Sequence, residues 1–324
     1  MSVRSAAGSP ARLGPPPRPR SQQRQSATSK RTFTWRRAQM IALYLAPALI
    51  FVAVFTYYPI LNGLQMAFRN WNLANFNDTS WVGLKNFVDV VTAPAFTTAL
   101  ANSAVWVLGS LVPQFVIGFA LALWLKRKFR FRGVYQALVF LPWAMSGFLI
   151  GILFRWMFNA ESGVVNDLLL KAHIIDERIP WLADPSTAMT AAVIANVWYG
   201  VTFFAVMILA ALQSVPDELY EAAALDGAGR PRTLFSVTIP YIRGTILLTV
   251  LLRTIWIFNS PEIIWAMTGG GPAGKTNILT SYMIQVNQQG NYGQASAIGI
   301  IVMLILAVFA AFYLVATRER SAKP

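Results

Sequence analysis

Six apolar stretches, at roughly 40–60, 98–125, 134–157, 188–213, 242–267 and 294–317, constrain this 324-residue chain more than anything else in it. A helix needs about 20 apolar residues to cross a bilayer, and hydrocarbon offers no partner to an open backbone N–H or C=O. Each stretch therefore predicts a transmembrane helix, and a hydrophobic fraction of 56% agrees with a membrane protein rather than a soluble one. The expected fold is all-α, a membrane protein with six transmembrane helices. The first stretch is too long for a signal-peptide core and lacks a clear small-residue cleavage site, so it is read as retained.

Charge sets the orientation. A net charge of +14 would suit a nucleic-acid binder, but its distribution does not. Residues 1–38 hold nine Lys and Arg and no Asp or Glu, among Pro, Ser and Gln. That composition cannot bury a core, so a disordered basic tail is expected, read as a cytoplasmic anchor beside anionic lipid rather than as a nucleic-acid arm. With the tail, the loops after the second and fourth stretches and the C-terminal end, one side carries twenty Lys and Arg. The other carries five: Arg69, Lys85, Lys171, Arg178 and Lys275. The positive-inside rule places both termini and the loop at 214–240 in the cytoplasm. There is no cysteine, which removes disulfides and thiolate metal sites, and the lone His173 lies in a polar loop and reads as a surface residue.

The loop at 214–240 is polar and reads as two short helices with a break between them. Ser214 lies three residues ahead of Asp217 in the manner of a capping box, with Pro216 in the first turn. Ala222, Ala223 and Ala224 favour helix, Gly227 and Gly229 break it, Pro231 opens the second helix, and Pro240 is expected to end it. A helix pair this polar and small-sided suits a groove in a partner protein better than lipid. Glu221-Ala222-Ala223, Gly227, Val237, Ile239 and Pro240 resemble, in spacing and type, the EAA motif of ABC importer permeases. The resemblance implies that this loop is the coupling helix that docks on a cytoplasmic ATPase, with Glu221, Ala222, Ala223, Asp226, Gly227 and Pro240 as its coupling residues.

Other stretches extend the resemblance over residues 39–324, expected to form one permease domain. Tyr58-Pro59, Trp81-Val82-Gly83-Leu84-Lys85-Asn86-Phe87, Leu141-Pro142 and Thr268-Gly269-Gly270-Gly271-Pro272 look like the sugar and glycerol-phosphate branch. The branch implies an inner-membrane subunit of a bacterium. It would pair with a second permease, as a heteromer, with two ATPases that hold ATP and Mg²⁺, and with an external binding protein. No cofactor is expected in this chain itself.

One motif is set aside. Gly269 to Thr276 fits G-x-x-x-x-G-K-[ST] letter for letter, but phosphate binding there needs a preceding strand and free amides. A transmembrane stretch precedes it, Pro272 lacks an amide, and the charge count puts it outside the cell.

The polar groups of the fourth and fifth stretches mark where a substrate would sit. Asn196, Tyr199, Gly200 and Phe203 fall on one narrow helix face, offering an amide, a hydroxyl, a bare backbone patch and a ring, which suits a sugar. A packing face with Gly200 at a close helix approach fits the spacing equally well. The resemblance favours the first: the maltose permeases read Asn-Thr-Trp-Leu-Gly-Tyr-Pro-Tyr here and touch sugar. Asn196 and Gly200 are kept, Tyr199 and Phe203 differ, and a related pocket for another sugar is implied.

In the fifth stretch Arg253, Ile257 and Ser260 share a face with Trp256 beside it. Similar positions of the maltose permeases are Ser, Asn and Asn; this chain keeps a small hydroxyl at Ser260 but has Ile257 and Arg253 instead of the other two, which argues against maltose itself. An Arg in a span costs about 2.5–3.5 kcal/mol and faces a cavity or a partner. Arg253 is left between an anionic substrate, such as a phosphorylated polyol, and a carboxylate on the second permease, the latter preferred. Glu262, nine residues on and hence on the opposite side of a continuous helix, follows Pro261, which should kink the span. It stands near an Asp of sugar permeases and is read as a gate or subunit-interface residue. Arg155 is expected to snorkel to the outer interface. No nucleophile with a base, paired carboxylates or metal-ligand set suggests an enzyme. The rival classes are an ion-coupled secondary transporter, which would need a carboxylate near the midplane, and an ATP-binding membrane enzyme resting on the P-loop-like letters alone.

Overall fold

The computed structural model describes residues 35–75 and 77–321. The basic tail expected over 1–38 lies outside them up to residue 34, and α1 begins at Trp35. Two units separate, residues 1–58 and residues 59–324. In the first, α1 (Trp35–Val52) runs into a π-helical turn, Ala53–Tyr57. The large apolar side chains of this stretch, Leu43, Tyr44, Phe51 and Phe55 among them, are exposed, and the rings of Phe51 and Phe55 lie tilted against each other, 4.7 Å apart. Apolar surface of this extent needs lipid or a partner to cover it.

The remaining helices are α2 (Tyr58–Ala67), α3 (Lys85–Thr92), α4 (Pro94–Lys126), α5 (Arg132–Phe140), α6 (Gly147–Met157), α7 (Val164–Lys171) and α8 (Ala188–Gln213). They continue as α9 (Asp217–Leu225), α10 (Arg230–Thr233), α11 (Ile239–Phe258), α12 (Glu262–Thr268), α13 (Leu279–Gln288) and α14 (Tyr292–Ser321). Among the described residues the only β pairing is in isolated bridges.

Five helical runs are long and apolar enough to cross a membrane: Gln39–Ala67, Pro94–Lys126, Ala188–Gln213, Arg230–Thr268 and Tyr292–Thr317. The third expected span is not one straight helix. Arg132–Ala144 and Gly147–Met157 meet at 99°, and only as a bent pair do they make a sixth span. Pro142 starts a tight 3₁₀ turn, Leu141–Ala144, and Met145 and Ser146 are extended, so the helical ladder stops there. Ser146 then caps α6, its hydroxyl oxygen accepting from the Leu149 N–H at 3.3 Å.

Pro240 does not end the second loop helix as expected. From α10 the chain passes through a π turn, Leu234–Thr238, straight into α11, with Pro240 in its first turn. A wider π turn tolerates a residue that has no N–H to give. The break falls instead at Asn259–Pro261, where α11 stops and α12 begins, as Pro261 led one to expect.

The core of the second unit is built on α4 against α8. Trp106 of α4 is buried with Ile150 and Phe154 of α6, Ala191 and Ala195 of α8, Ile257 and Ile264. Towards the C-terminal end of α4, Ala122 and Leu125 pack with Phe204, Ile208 and Leu212 of α8 and with Ile242. The Trp81–Phe87 stretch closes the end of α2. Trp81 stacks on Phe68 at 5.3 Å, and the buried Asn86 amide donates to the carbonyls of Ala67 and Arg69, both at 2.9 Å. The Ala67 carbonyl is one of those that the end of the helix leaves without an intrahelical donor.

Candidate functional site

The bend between α5 and α6 and the break between α11 and α12 face one cavity of about 260 Å³. Ser146, Gly147 and Phe148 line it from the bend, Asn196 and Tyr199 from α8, and Arg253, Ser260 and Glu262 from the two sides of the break. Six of the residues singled out in the sequence therefore meet: Asn196, Tyr199, Arg253, Ile257, Ser260 and Glu262. Arg253 and Glu262 were expected on opposite sides of one helix. The break at Asn259–Pro261 resets the helical phase and turns both towards the same space, although no ion pair joins them.

Gly200, Phe203 and Trp256 do not line this cavity. Gly200 is not a bare backbone patch, because a Cβ there would collide with the Arg253 guanidinium and the Gln114 amide. Phe203 is buried, its ring 5.1 Å from that of Trp256 and 6.2 Å from that of Trp143. Trp256 keeps an exposed face.

Behind the cavity runs a buried polar chain that the sequence reading missed in part. Asn196 Nδ2 donates to Ser110 Oγ at 2.8 Å, Gln114 Nε2 donates to the Asn196 carbonyl at 2.8 Å, and Arg253 Nε donates to Gln114 Oε1 at 2.8 Å. Ser110 and Gln114 are fully buried on α4. Their only sequence signal is polarity inside an apolar stretch, with Pro113 beside Gln114. The chain fixes the Arg253 side chain through neutral partners, which suits a low-dielectric interior.

In the loop at 214–240, the expected capping box is absent. The Ser214 hydroxyl turns back to donate to the Ala211 carbonyl at 2.8 Å, and Pro216 precedes α9 without a side-chain cap. Asp217 and Glu218 in the first turn still complement the helix dipole. The other end is well formed. Gly227 takes φ +70°, its N–H donates to the Ala224 carbonyl at 3.0 Å, and the Ala228 N–H donates to the Ala223 carbonyl at 2.9 Å. This is the Schellman pattern, which needs a residue tolerant of positive φ.

Ala223 is buried against the protein, whereas Glu221, Ala222, Asp226 and Leu225 face out, Leu225 with 90% of its surface exposed. Tyr220 anchors the inner face: Lys126, at the end of α4, donates to its hydroxyl at 2.7 Å and sits 4.1 Å from its ring centre. Leu225 was not singled out from the sequence, where it reads as one more apolar residue of the helix. Pro240 is exposed in the first turn of α11.

The P-loop-like segment has no strand before it, and several of its amides are spent on nearby groups of the turn. Lys275 N–H donates to Pro272 O, Thr276 N–H to Gly270 O and Asn277 N–H to Gly274 O. Asn102 of α4 binds the carbonyls of Lys275 and Asn277, both at 2.9 Å. The segment is a turn pinned to α4, without the geometry to hold phosphates.

Residues 114–321 match the family described as binding-protein-dependent transport system inner membrane component. A probable ABC transporter permease of Brucella suis is 34% identical over 281 residues, covering 85% of this chain and 96% of that protein. The trehalose/maltose transport system permease protein MalF of Thermococcus litoralis is 30% identical, covering 88% and 96%. The crystal structure of a bacterial ABC transporter involved in the import of the acidic polysaccharide alginate superposes with a TM-score of 0.77 at 27% identity, covering 89% of this chain and 98% of that one. The bent and broken helices around one cavity thus belong to a transport component rather than an enzyme, and the chain is a member of the binding-protein-dependent transport system inner membrane component family, a multi-pass permease subunit of an ABC importer.

Proposed function

We propose that this permease carries a carbohydrate through the cavity between the α5–α6 bend and the α11–α12 break, and that α9 and the turn at Gly227 couple it to a cytoplasmic ATPase. The observation that carries the coupling reading is the two-sided build of α9. One side is anchored through Ala223 and the Lys126–Tyr220 contact, and the other presents Glu221, Ala222 and the exposed Leu225. An apolar side chain held out on a capped, rigid helix fits a groove of a partner. The charge distribution supports a cytoplasmic position for this loop and both termini, on the side where ATP is.

The carbohydrate reading rests on hydroxyl and aromatic groups around the cavity, Ser260 and Tyr199 above all, and on relatives whose names include trehalose and maltose. A second permease, as a heteromer, completes the passage, and an external binding protein delivers the sugar. Two ATPases hold ATP and Mg²⁺. Their closure draws the coupling helices together and shifts α8 and α11, which the loop joins, and so opens the cavity towards the outside.

Native mass spectrometry of complexes purified through a tag on this chain tests the assembly. The expected mass is this chain with a second permease and two ATPases. This chain alone, or only with itself, through repeated gentle preparations would overturn the coupling reading and favour a secondary transporter.

A further inference from the structure

Arg253 is 5% exposed, yet it lines the cavity and forms no ion pair with an acidic side chain among the described residues. Of its five N–H groups only Nε–H is paired, at 2.8 Å to the neutral Gln114 oxygen. Its guanidinium carbon lies 5.9 Å from the Tyr199 ring centre and 5.8 Å from that of Phe203. Among the described residues the only ion pair is the half-exposed Arg178–Asp167 contact, far along the chain.

We infer that the cavity receives a singly charged acidic group of the transported sugar, a carboxylate or sulfonate, and that the Nη edge of Arg253 binds it. The inference rests on the carbohydrate passage proposed above and specifies the charge of its cargo. Three physical arguments lead to it. A buried cation that makes no direct ion pair is costly, and an anion that binds it in the cavity removes that cost. Gln114, itself held by its donation to the Asn196 carbonyl, takes Nε–H and leaves the Nη pair, which matches the two oxygens of a carboxylate or sulfonate. The positive N-terminal end of α6, an 11-residue helix, opens on the same cavity at Gly147.

Glu262 also lines the cavity, exposed and in the first turn of α12. Its negative charge offsets that of Arg253 and disfavours a doubly charged phosphate, which is why the group is assigned one charge. Tyr199, Ser260 and Ser146 place hydroxyls around it for the neutral part of a sugar. A carboxylate from a second permease is the competing partner for Arg253, but it would have to enter a cavity already closed on three sides by α6, α8 and α11.

The test uses the complete importer with its binding protein in proteoliposomes. Partial digests of pectin, xylan and starch are separated on an anion exchanger into an acidic and a neutral pool, and stimulation of ATP hydrolysis is measured with each. The acidic pool is expected to stimulate and the neutral pool not. In the assembled importer Arg253→Gln should lower the acidic response about tenfold or more, with Arg253→Lys in between. Because the binding protein is unchanged, such a loss resides in the permease. An undiminished response in Arg253→Gln, or a response confined to the neutral pool, overturns the inference and leaves the carbohydrate passage standing, with Arg253 then assigned to the second permease. A response to neither pool overturns both. Should Arg253→Gln fail to assemble, the acidic pool with its carboxylates reduced to alcohols decides: lost stimulation supports the inference, and retained stimulation overturns it.

Discussion

The indole N–H of Trp106 donates to the carbonyl of Ile257 at 2.9 Å. Ile257 stands four residues before Pro261, so the N–H that would normally close this helical turn does not exist. Beside the backbone contacts from the Asn259 N–H and, at 3.4 Å, the Ser260 N–H, the buried Trp106 supplies a donor from α4. The break that turns Arg253 and Glu262 into one cavity is therefore stabilised from a second helix. Trp106→Phe keeps most of the bulk and removes the donor. An open buried carbonyl costs about 1–3 kcal/mol, so the purified complex should unfold at a lower temperature and lose transport. Unaltered thermal unfolding in the same detergent would show that the break holds itself.

Gly200 makes a sharper demand. Its missing side chain leaves the room that the Arg253 guanidinium and the Gln114 amide occupy. Gly200→Ala is an overpacking change at the meeting of α4, α8 and α11, with an expected cost of about 1–3 kcal/mol. It should also part Arg253 from Gln114. The measurement is the yield of monodisperse complex with its melting temperature; a wild-type value for both would mean that the cluster yields without strain.

Much of this fold was legible in the sequence, because hydropathy counts apolar residues and the bilayer fixes how many a span needs. Direction was not legible. The run at 134–157 is apolar throughout, and nothing in its composition says that it turns through 99° at Met145 and Ser146. The same blindness separated Arg253 from Glu262. Pro261 was read as a kink, but the change of helical phase across Asn259–Pro261 was not carried through, and a continuous helix put the two on opposite sides. Gln114 escaped because its partner Arg253 lies 139 residues away, and only tertiary packing joins them. In the loop, the Gly227 turn follows from residue type alone, whereas the fate of the Ser214 hydroxyl depends on which of two nearby backbone groups it finds.

The exposed tip of α9 allows docking to be separated from folding. Leu225 is 90% exposed, so Leu225→Asp should change the permease's own stability by less than about 0.5 kcal/mol. Glu221→Lys, also on the outer face, should behave alike. Both variants are expected to yield a folded permease that no longer retains the ATPases on affinity purification. Full retention of the ATPases by both would remove α9 from the interface.

The turn itself can be tested without touching the tip. Gly227 holds φ +70°, where a side chain costs about 1–2 kcal/mol. Gly227→Val should open the two Schellman hydrogen bonds and let the end of α9 fray. The expected result is faster amide exchange at Leu225 to Ala228 and weaker ATPase retention, with Gly227→Asn closer to wild type because Asn tolerates this conformation better. Equal effects of Val and Asn would show that something other than backbone conformation is at issue.

Motion of the loop must reach the spans to matter, and the Lys126–Tyr220 contact is the one place where α9 is tied by a charged hydrogen bond to the end of α4. Lys126 also lies over the Tyr220 ring at 4.1 Å, so hydroxyl and ring both contribute. Tyr220→Phe keeps the ring contact and removes the hydroxyl, and Lys126→Met removes both interactions. If the contact transmits movement, ATP hydrolysis should continue in both variants while transport per ATP falls, more in Lys126→Met than in Tyr220→Phe. A loss of a hydrogen bond to a charged group, worth about 1.5–3 kcal/mol, sets the scale at roughly tenfold or more for the stronger variant. Retained ATPases with a normal ratio of transport to hydrolysis would confine the contact to holding α9 in place. A drop in that ratio, graded from Phe to Met, would make it part of the path by which the loop drives the cavity.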